Sequence, residues 1–195
     1  MVSSTIISTS TGSISILKEH IYKNRDVHYP LLFERKIENV TAGLPPEYFN
    51  LLSKLPKDHA LVIANYIESM KIEVNLSDNY RKDVIKVLSR FLTFLYSSIK
   101  TSNKTAILLM EITKKELLAF LDRFRRSEAV DPLHKWIGTY NTYRMHLMRF
   151  FKWLYYPDTG PDKRPKPEVI QNIPKLKRKE QCLMTFGLQK KFFYF

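Results

Sequence analysis

Apolar side chains recur at helical spacing through residues 77–100 and again through residues 139–156, and neither stretch contains glycine or proline. At about 100° per residue, each apolar set falls on one side of a helix. The first set is Tyr80, Val84, Val87, Leu88, Phe91 and Leu95, and the second is Tyr140, Tyr143, Leu147, Phe150, Phe151 and Leu154. Both stretches therefore predict amphipathic α-helices with one buried side.

The rest of the chain indicates an all-α protein, because glycine occurs only five times in 195 residues and turn-rich β architecture needs more. Ser77 is a predicted N-cap, and Thr113 with Glu116 forms a capping box. The four main helices are predicted at about residues 57–73, 77–100, 113–126 and 139–156, with the last led into by Gly138 and Thr139.

The predicted organisation has three parts. Residues 1–55 form a partly disordered N-terminal extension, with amphipathic patterns at 17–22 and 31–37 and a short helix after Pro45. Residues 56–157 form the helical domain. Residues 158–195 are a linker, with extended composition at 159–167, and an irregular tail.

Positive charge is concentrated after residue 75 of the chain. The net charge is +13, yet residues 1–75 are neutral, with eight basic and eight acidic residues. Residues 76–156 carry 15 basic against 7 acidic residues, and residues 157–195 carry 9 against 4. A concentrated positive field is typical of proteins that bind polyanions.

The polar faces of the two long helices are predicted to contact that polyanion. An ordinary solvated helix face mixes charges, since pairs of opposite sign stabilise it, whereas these faces combine basic and short polar side chains without an acid. Such residues suit phosphate contacts and hydrogen bonds to base edges. The predicted DNA-binding residues are Lys82, Lys86, Ser89, Arg90 and Thr93 on the first helix, and Asn141, Thr142, Arg144, Met145, Arg149 and Lys152 on the second. Arg144 flanks the apolar stripe and could reach either way.

The order of these motifs resembles the N-terminal core-binding (SAM-like) domain of the tyrosine recombinases, the phage integrase family. The resemblance covers roughly residues 57–181 and is strongest at 139–158, TYNTYRMHLMRFFKWLYYPD, which is similar to archaeal members. It implies a four-helix bundle that forms half of a clamp around DNA, with the two long helices facing the duplex. It also implies a function in DNA integration and site-specific recombination.

The catalytic domain of that family, which carries a tyrosine nucleophile and a cationic pocket, is not expected in this chain. Only 14 residues follow Gln181, and the tail departs from the family pattern at Cys182. We therefore expect no catalytic activity, and a truncated or frame-shifted recombinase gene is one explanation. His146 and Arg149 spell the His-x-x-Arg of the family's catalytic box, but they lie within a core-binding helix. Tyr194 lacks the groups that would activate it as a nucleophile.

The sequence thus predicts a non-catalytic, cytoplasmic module that binds double-stranded DNA. A single cysteine and scattered histidines offer no metal site, no stretch is long enough to span a membrane, and no cofactor is expected. The alternative is a protein-interaction adaptor or modulator of an intact recombinase protomer, indicated by the neutral N-terminal third and the apolar residues 192–195. An RNA-binding helical domain ranks lower, because aromatic platforms are not evident.

Overall fold

The computed structural model describes residues 29–99 and 109–177, and all regular secondary structure in these ranges is helical. The all-α prediction is confirmed for the described part of the chain. The helices are α1 (Tyr29–Thr41), α2 (Pro46–Ser53), α3 (Lys57–Val74), α4 (Asp78–Ile99), α5 (Lys114–Asp122) and α6 (Trp136–Tyr155). Two short 3-10 helices lie at Leu109–Glu111 and Glu168–Ile170.

Polar side chains define the starts of three helices. The Ser77 hydroxyl accepts a hydrogen bond from the Tyr80 N–H at 3.3 Å, as predicted for the N-cap of α4. The Glu116 carboxylate accepts one from the Thr113 N–H at 2.7 Å, which satisfies a free donor before α5. For α6, the Asp131 carboxylate accepts the Trp136 N–H at 3.0 Å. Helix α6 therefore begins at Trp136, before Gly138 and Thr139, where the sequence predicted its start.

Helix α5 is shorter than predicted and ends at Asp122 rather than near Arg126. Past this residue the backbone changes to i→i+3 hydrogen bonds, such as Phe124 N–H to the Leu121 carbonyl at 3.2 Å. The turn keeps the ring of Phe124 against Tyr143, with centroids 4.3 Å apart. The apolar pattern therefore continues beyond the helix because the turn also packs on the core.

The core lies where α4, α5 and α6 meet. Phe91 of α4 contacts Phe120 of α5 and Phe151 of α6, edge to face, with centroid distances of 5.1 and 6.2 Å. On the other side, Tyr66 of α3 contacts Phe150 of α6 at 5.4 Å. These rings are 3% exposed or less, so aromatic packing joins the four helices into one hydrophobic core.

The N-terminal helices are part of the same core. Helix α1 packs against α3, and α2 packs against α4. Ile37 of α1 and Leu52 of α2 are completely buried within the cluster that contains the rings above. The core is therefore continuous across residues 55 and 56, where the sequence predicted a boundary. The predicted helical pattern at 17–22 lies outside the described residues.

Residues 157–177 pack onto the bundle, although their composition indicated an extended linker. Val169, Ile170 and Ile173 are buried in the core cluster. Arg164 is 5% exposed; its guanidinium donates to the Glu73 carboxylate at 2.5 Å and to the Tyr156 carbonyl at 3.1 Å. Proline and lysine set the average composition of this segment, but one arginine and three aliphatic side chains determine where it lies.

Within the described residues, no helix combines the length and the apolar character that crossing a membrane would require.

The ion pair of Glu73 and Arg164 predicts a pH-dependent contribution to stability. Burial raises the pKa of Glu73, but the hydrogen bonds from Arg164 and Ser69 and the charge of Arg164 outweigh it, so the pKa is lowered overall. At pH values above the ordinary pKa of 4.5, a carboxyl group whose pKa is lowered in the folded state stabilises the protein. This stabilisation is lost as the pH falls through the pKa of the folded state.

We expect Glu73→Gln to reduce the free energy of unfolding by on the order of 3 kcal/mol at neutral pH, because it leaves a buried guanidinium without its counter-charge. The deficit should shrink as the pH falls from about 6 to about 3 in denaturant titrations. Glu68→Gln is the matched control, since Glu68 pairs with Lys36 at 3.2 Å with both side chains 31% exposed or more. That change should cost about 1 kcal/mol or less. A Glu73→Gln deficit that is small, or independent of pH, would contradict the assignment.

Candidate nucleic-acid interface

Helix α4 presents a narrow basic strip to solvent. Lys86, Arg90 and Thr93 are exposed and Lys82 is half-buried, while α2 and α6 pack against other sides of the helix. Neither lysine nor Arg90 forms an ion pair with a described carboxylate. By contrast, Arg81 on the buried flank of α4 pairs with Asp78 at 2.8 Å. The strip is thus the part of α4 whose positive charge stays uncompensated.

Ser89 does not belong to this strip, because the structure buries it and the prediction that it lies on the exposed face of α4 is wrong. Its side chain is 2% exposed. Ser89 follows Arg81 and Ile85 at intervals of four residues, on the flank where Arg81 donates to the Ala42 carbonyl at 2.8 Å. The N-terminal helices cover that flank. The spacing of residues along α4 alone does not predict which of its sides another helix covers.

Of the six α6 residues predicted to bind DNA, only Thr142, Met145 and Arg149 are exposed. Lys152 is half-buried at its C-terminal end. The Thr142 hydroxyl donates to the Gly138 carbonyl at 3.0 Å, so its proton is already used within the helix. The Thr93 hydroxyl on α4 does the same with the Ser89 carbonyl at 2.8 Å. Both threonines therefore offer acceptor lone pairs rather than free donors.

Asn141 and Arg144 hold the chain end of the described region against α6. We call residues 171–177 the strap. The Asn141 amide donates to the Leu176 carbonyl at 2.8 Å and accepts from the Leu176 N–H at 3.1 Å. The Arg144 guanidinium donates twice to the Ile173 carbonyl, at 2.9 and 2.8 Å. Both side chains are predicted to bind DNA. In the structure both hold the strap, which the sequence predicts to be part of a linker, and three of the five Arg144 donors take no part in these bonds.

Two tyrosines between the helices hold the two arginines of the surface. The Arg90 guanidinium donates to the Tyr143 hydroxyl at 2.5 Å, and the Arg149 guanidinium donates to the Tyr80 hydroxyl at 2.8 Å. Arg149 also lies over the Tyr80 ring, 5.4 Å from its centroid. Each hydrogen bond runs from one helix to the other, so both guanidinium groups are restrained on a shared surface. Since a guanidinium has five donors, most of them remain available to a ligand. Helical spacing places both tyrosines on the apolar sides of their helices, so the sequence did not identify either as part of the site.

One acidic side chain, Asp83, adjoins the basic strip of α4. It is exposed, and its negative charge opposes the lowering of the His146 pKa that burial causes. Asp83 lies at the edge of the predicted face rather than within it. It reduces the local positive charge without pairing with a basic residue of the strip in the described structure.

His146 is a buried packing residue. Its side chain is 2% exposed and its ring lies 4.8 Å from that of Tyr80. Burial lowers the pKa of His146; Asp83 opposes this and Arg149 adds to it, so the imidazole is neutral at pH 7. Although His146 and Arg149 are three residues apart, one packs inside and the other is exposed. Tyr194 lies outside the described residues.

The strap adds two lysines beside α6. Lys175 and Lys177 are exposed on either side of Leu176, the residue held by Asn141. The basic surface therefore continues from α4 across α6 to the strap. We call the side chains Lys82, Lys86, Arg90, Arg149, Lys152, Lys175 and Lys177 the basic face. The apolar residues 192–195, which indicated an adaptor, lie outside the described residues.

In the described part of the chain, no cluster of three or more His, Cys, Asp or Glu residues could hold a metal ion. The cations of the basic face offer charge neutralisation and hydrogen-bond donation.

No family model, curated protein or solved structure matches this chain.

The double hydrogen bond of Asn141 predicts a measurable contribution to strap attachment. Asn141→Ala removes both bonds to Leu176, and we expect the free energy of unfolding to fall by about 1–3 kcal/mol. Amide hydrogen exchange in residues 173–177 should accelerate in the same variant. Thr142→Ala, next along the helix, is the control and should change stability by about 0.5 kcal/mol or less, because Thr142 is exposed. Equal exchange in the two variants would show that Asn141 does not hold the strap.

Proposed function

We propose that the basic face binds the phosphates of double-stranded DNA, and that the chain is a non-catalytic DNA-recognition module of the tyrosine recombinase type, associated with DNA integration and site-specific recombination. The observation that carries the proposal is that seven cations without a carboxylate partner among the described residues lie together across α4, α6 and the strap. Lys36, Arg81, Arg125 and Arg164 pair with carboxylates. The cations of the basic face have no carboxylate partner among the described residues, which leaves their charge available to a polyanion.

Geometry supports a duplex as the partner. The exposed strips of α4 and α6 lie side by side, and Arg90 and Arg149 are each restrained from the neighbouring helix. Restrained arginines lose less side-chain entropy on binding and can donate two parallel hydrogen bonds to one phosphate. A surface of this kind positions a protein on the DNA backbone but reads little sequence. We therefore expect binding with weak sequence preference.

The resemblance in the sequence supports the same proposal, because it points to these two helices as the pair that faces DNA. It also provides the link to recombination. The neutral, buried His146 favours a DNA-binding over a catalytic use of this helix, since a catalytic histidine must reach the scissile phosphate.

The primary test is the salt dependence of duplex binding. Each neutralised phosphate contributes about 0.9 to the slope of log affinity against log salt. Changing Lys86, Arg90, Arg149 and Lys152 to Ala should lower affinity strongly and reduce the slope by about 3–4, in anisotropy titrations between about 50 and 200 mM salt.

The control variant changes four exposed cations that lie on neither α4 nor α6, namely Arg35, Lys57, Lys71 and Lys115, also to Ala. It has the same net charge but keeps the basic face. Equal loss in the two variants would attribute binding to net charge and overturn the assignment of the face. Tighter binding to single-stranded RNA than to duplex DNA, or retention of a stoichiometric protein without DNA, would replace the proposal with the RNA-binding or adaptor alternative.

The tyrosines that restrain the arginines provide a second, subtler test. Tyr143→Phe removes the acceptor of Arg90 but keeps all five guanidinium donors and the net charge. We expect duplex affinity to fall by about fivefold, because ordering an unrestrained arginine side chain on binding costs about 1 kcal/mol. Tyr155→Phe, which removes a hydroxyl that donates to the Met110 carbonyl at 3.2 Å, should leave affinity unchanged. If both variants bind as the wild type does, restraint of Arg90 plays no part in binding.

A further inference from the structure

An open cleft lies at one end of the basic face and has a volume of about 490 Å³. Its walls are the C-terminal end of α3 and the turn into α4, the side of α6 that carries Arg149 and Lys152, and the loop at residues 161–164. Ligand sites for small molecules typically measure about 300–1,000 Å³. The cleft is thus large enough for a ligand the size of a nucleotide and too small for a duplex.

The charged groups of the cleft differ from wall to wall. Arg149 and Lys152 stand on α6 without a carboxylate partner among the described residues, and Asp162 stands on the loop. Arg164 also lines the cleft, but its charge is compensated by Glu73. The cleft therefore suits a ligand with an anionic group at one end and hydrogen-bond donors elsewhere.

The remaining wall is apolar and aromatic. Val74 and Leu76 line it beside the ring of Tyr80, and Val74 is 47% exposed although it is aliphatic. An aromatic ring next to aliphatic side chains favours a flat, partly apolar group. A phosphate alone would leave this wall without a contact.

We propose that the cleft between α3, α4, α6 and residues 161–164 binds a single phosphorylated nucleoside unit. Arg149 and Lys152 hold the phosphate, the Tyr80 and Val74 wall contacts the base, and Asp162 accepts from a sugar hydroxyl or base amine. The unit is either a free nucleotide or the 5′-phosphorylated terminal nucleotide of a DNA strand. The site is distinct from the proposed duplex contacts on α4, although Arg149 and Lys152 border both.

The experiment is calorimetric titration of the full chain with deoxyadenosine 5′-monophosphate, deoxyadenosine and inorganic phosphate. We expect the nucleotide to bind at least about tenfold more tightly than either fragment. A 5′-phosphorylated trinucleotide and its unphosphorylated counterpart separate the two sources. Binding of the mononucleotide shows that a free nucleotide suffices, and binding of the phosphorylated trinucleotide alone assigns the site to strand ends.

Two variants separate this site from the basic face. Val74→Trp fills the cleft at a half-exposed position and should weaken nucleotide binding at least about tenfold while duplex binding stays unchanged. The double variant Lys86→Ala with Arg90→Ala should weaken duplex binding and leave nucleotide binding unchanged. Should Val74→Trp lose its helical circular dichroism, Asp162→Ala replaces it at an exposed cleft position outside the basic face, and its nucleotide affinity should fall while duplex binding and inorganic phosphate binding do not.

Three results would overturn the proposal: no binding of any phosphorylated probe, equal binding by wild type and the cleft variants, or phosphate binding as tight as nucleotide binding. Each leaves the duplex proposal intact, because the paired change of Lys86 and Arg90, neither of which lines the cleft, tests duplex binding separately. Loss of duplex binding in Lys86→Ala with Arg90→Ala, together with retained nucleotide binding, would support both.

Discussion

The position of α6 between α4 and residues 157–177 is the constraint on which the rest of this structure depends. One side of α6 packs its rings against Phe91 and Tyr66, and the other is hydrogen-bonded to the strap through Asn141 and Arg144. Only a narrow strip remains exposed, and its direction is set by these two neighbours. The same packing brings Tyr143 and Tyr80 between α4 and α6, where their hydroxyls meet Arg90 and Arg149.

Buried cations and the cations of the basic face differ in the partners that they contact. Cations that lie in packed regions, such as Arg81 and Arg164, have a carboxylate or a carbonyl partner, as the cost of burying a charge requires. Cations on the basic face have aromatic or solvent neighbours instead. A protein of this size can tolerate several unpaired surface charges because exposed ion pairs contribute little to stability. Such charges thus cost the fold little while creating a strong local field.

The fold was largely predictable from local sequence signals, whereas the site was predictable only in part. Apolar spacing and the caps at Ser77 and Thr113 depend on neighbours within one or two turns, so the helix starts could be read from the chain. Exposure depends on neighbours far away in sequence. Ser89 lies on the flank of α4 that the N-terminal helices cover, and Asn141 is hydrogen-bonded to Leu176, 35 residues after it. Lys86, Arg90 and Arg149 were identified because long basic side chains on the outermost line of a helix remain exposed whatever packs on the flanks.

The strap is attached in a way that bears on how this surface can change over evolution. Asn141 and Arg144 contact only main-chain atoms of Leu176 and Ile173, and the side chains of Lys175 and Lys177 point away into solvent. Substitutions at these two lysines leave the attachment intact. The edge beside α6 is therefore free to gain or lose charge by mutation, and the strength and salt sensitivity of polyanion binding can be tuned there without altering the helices.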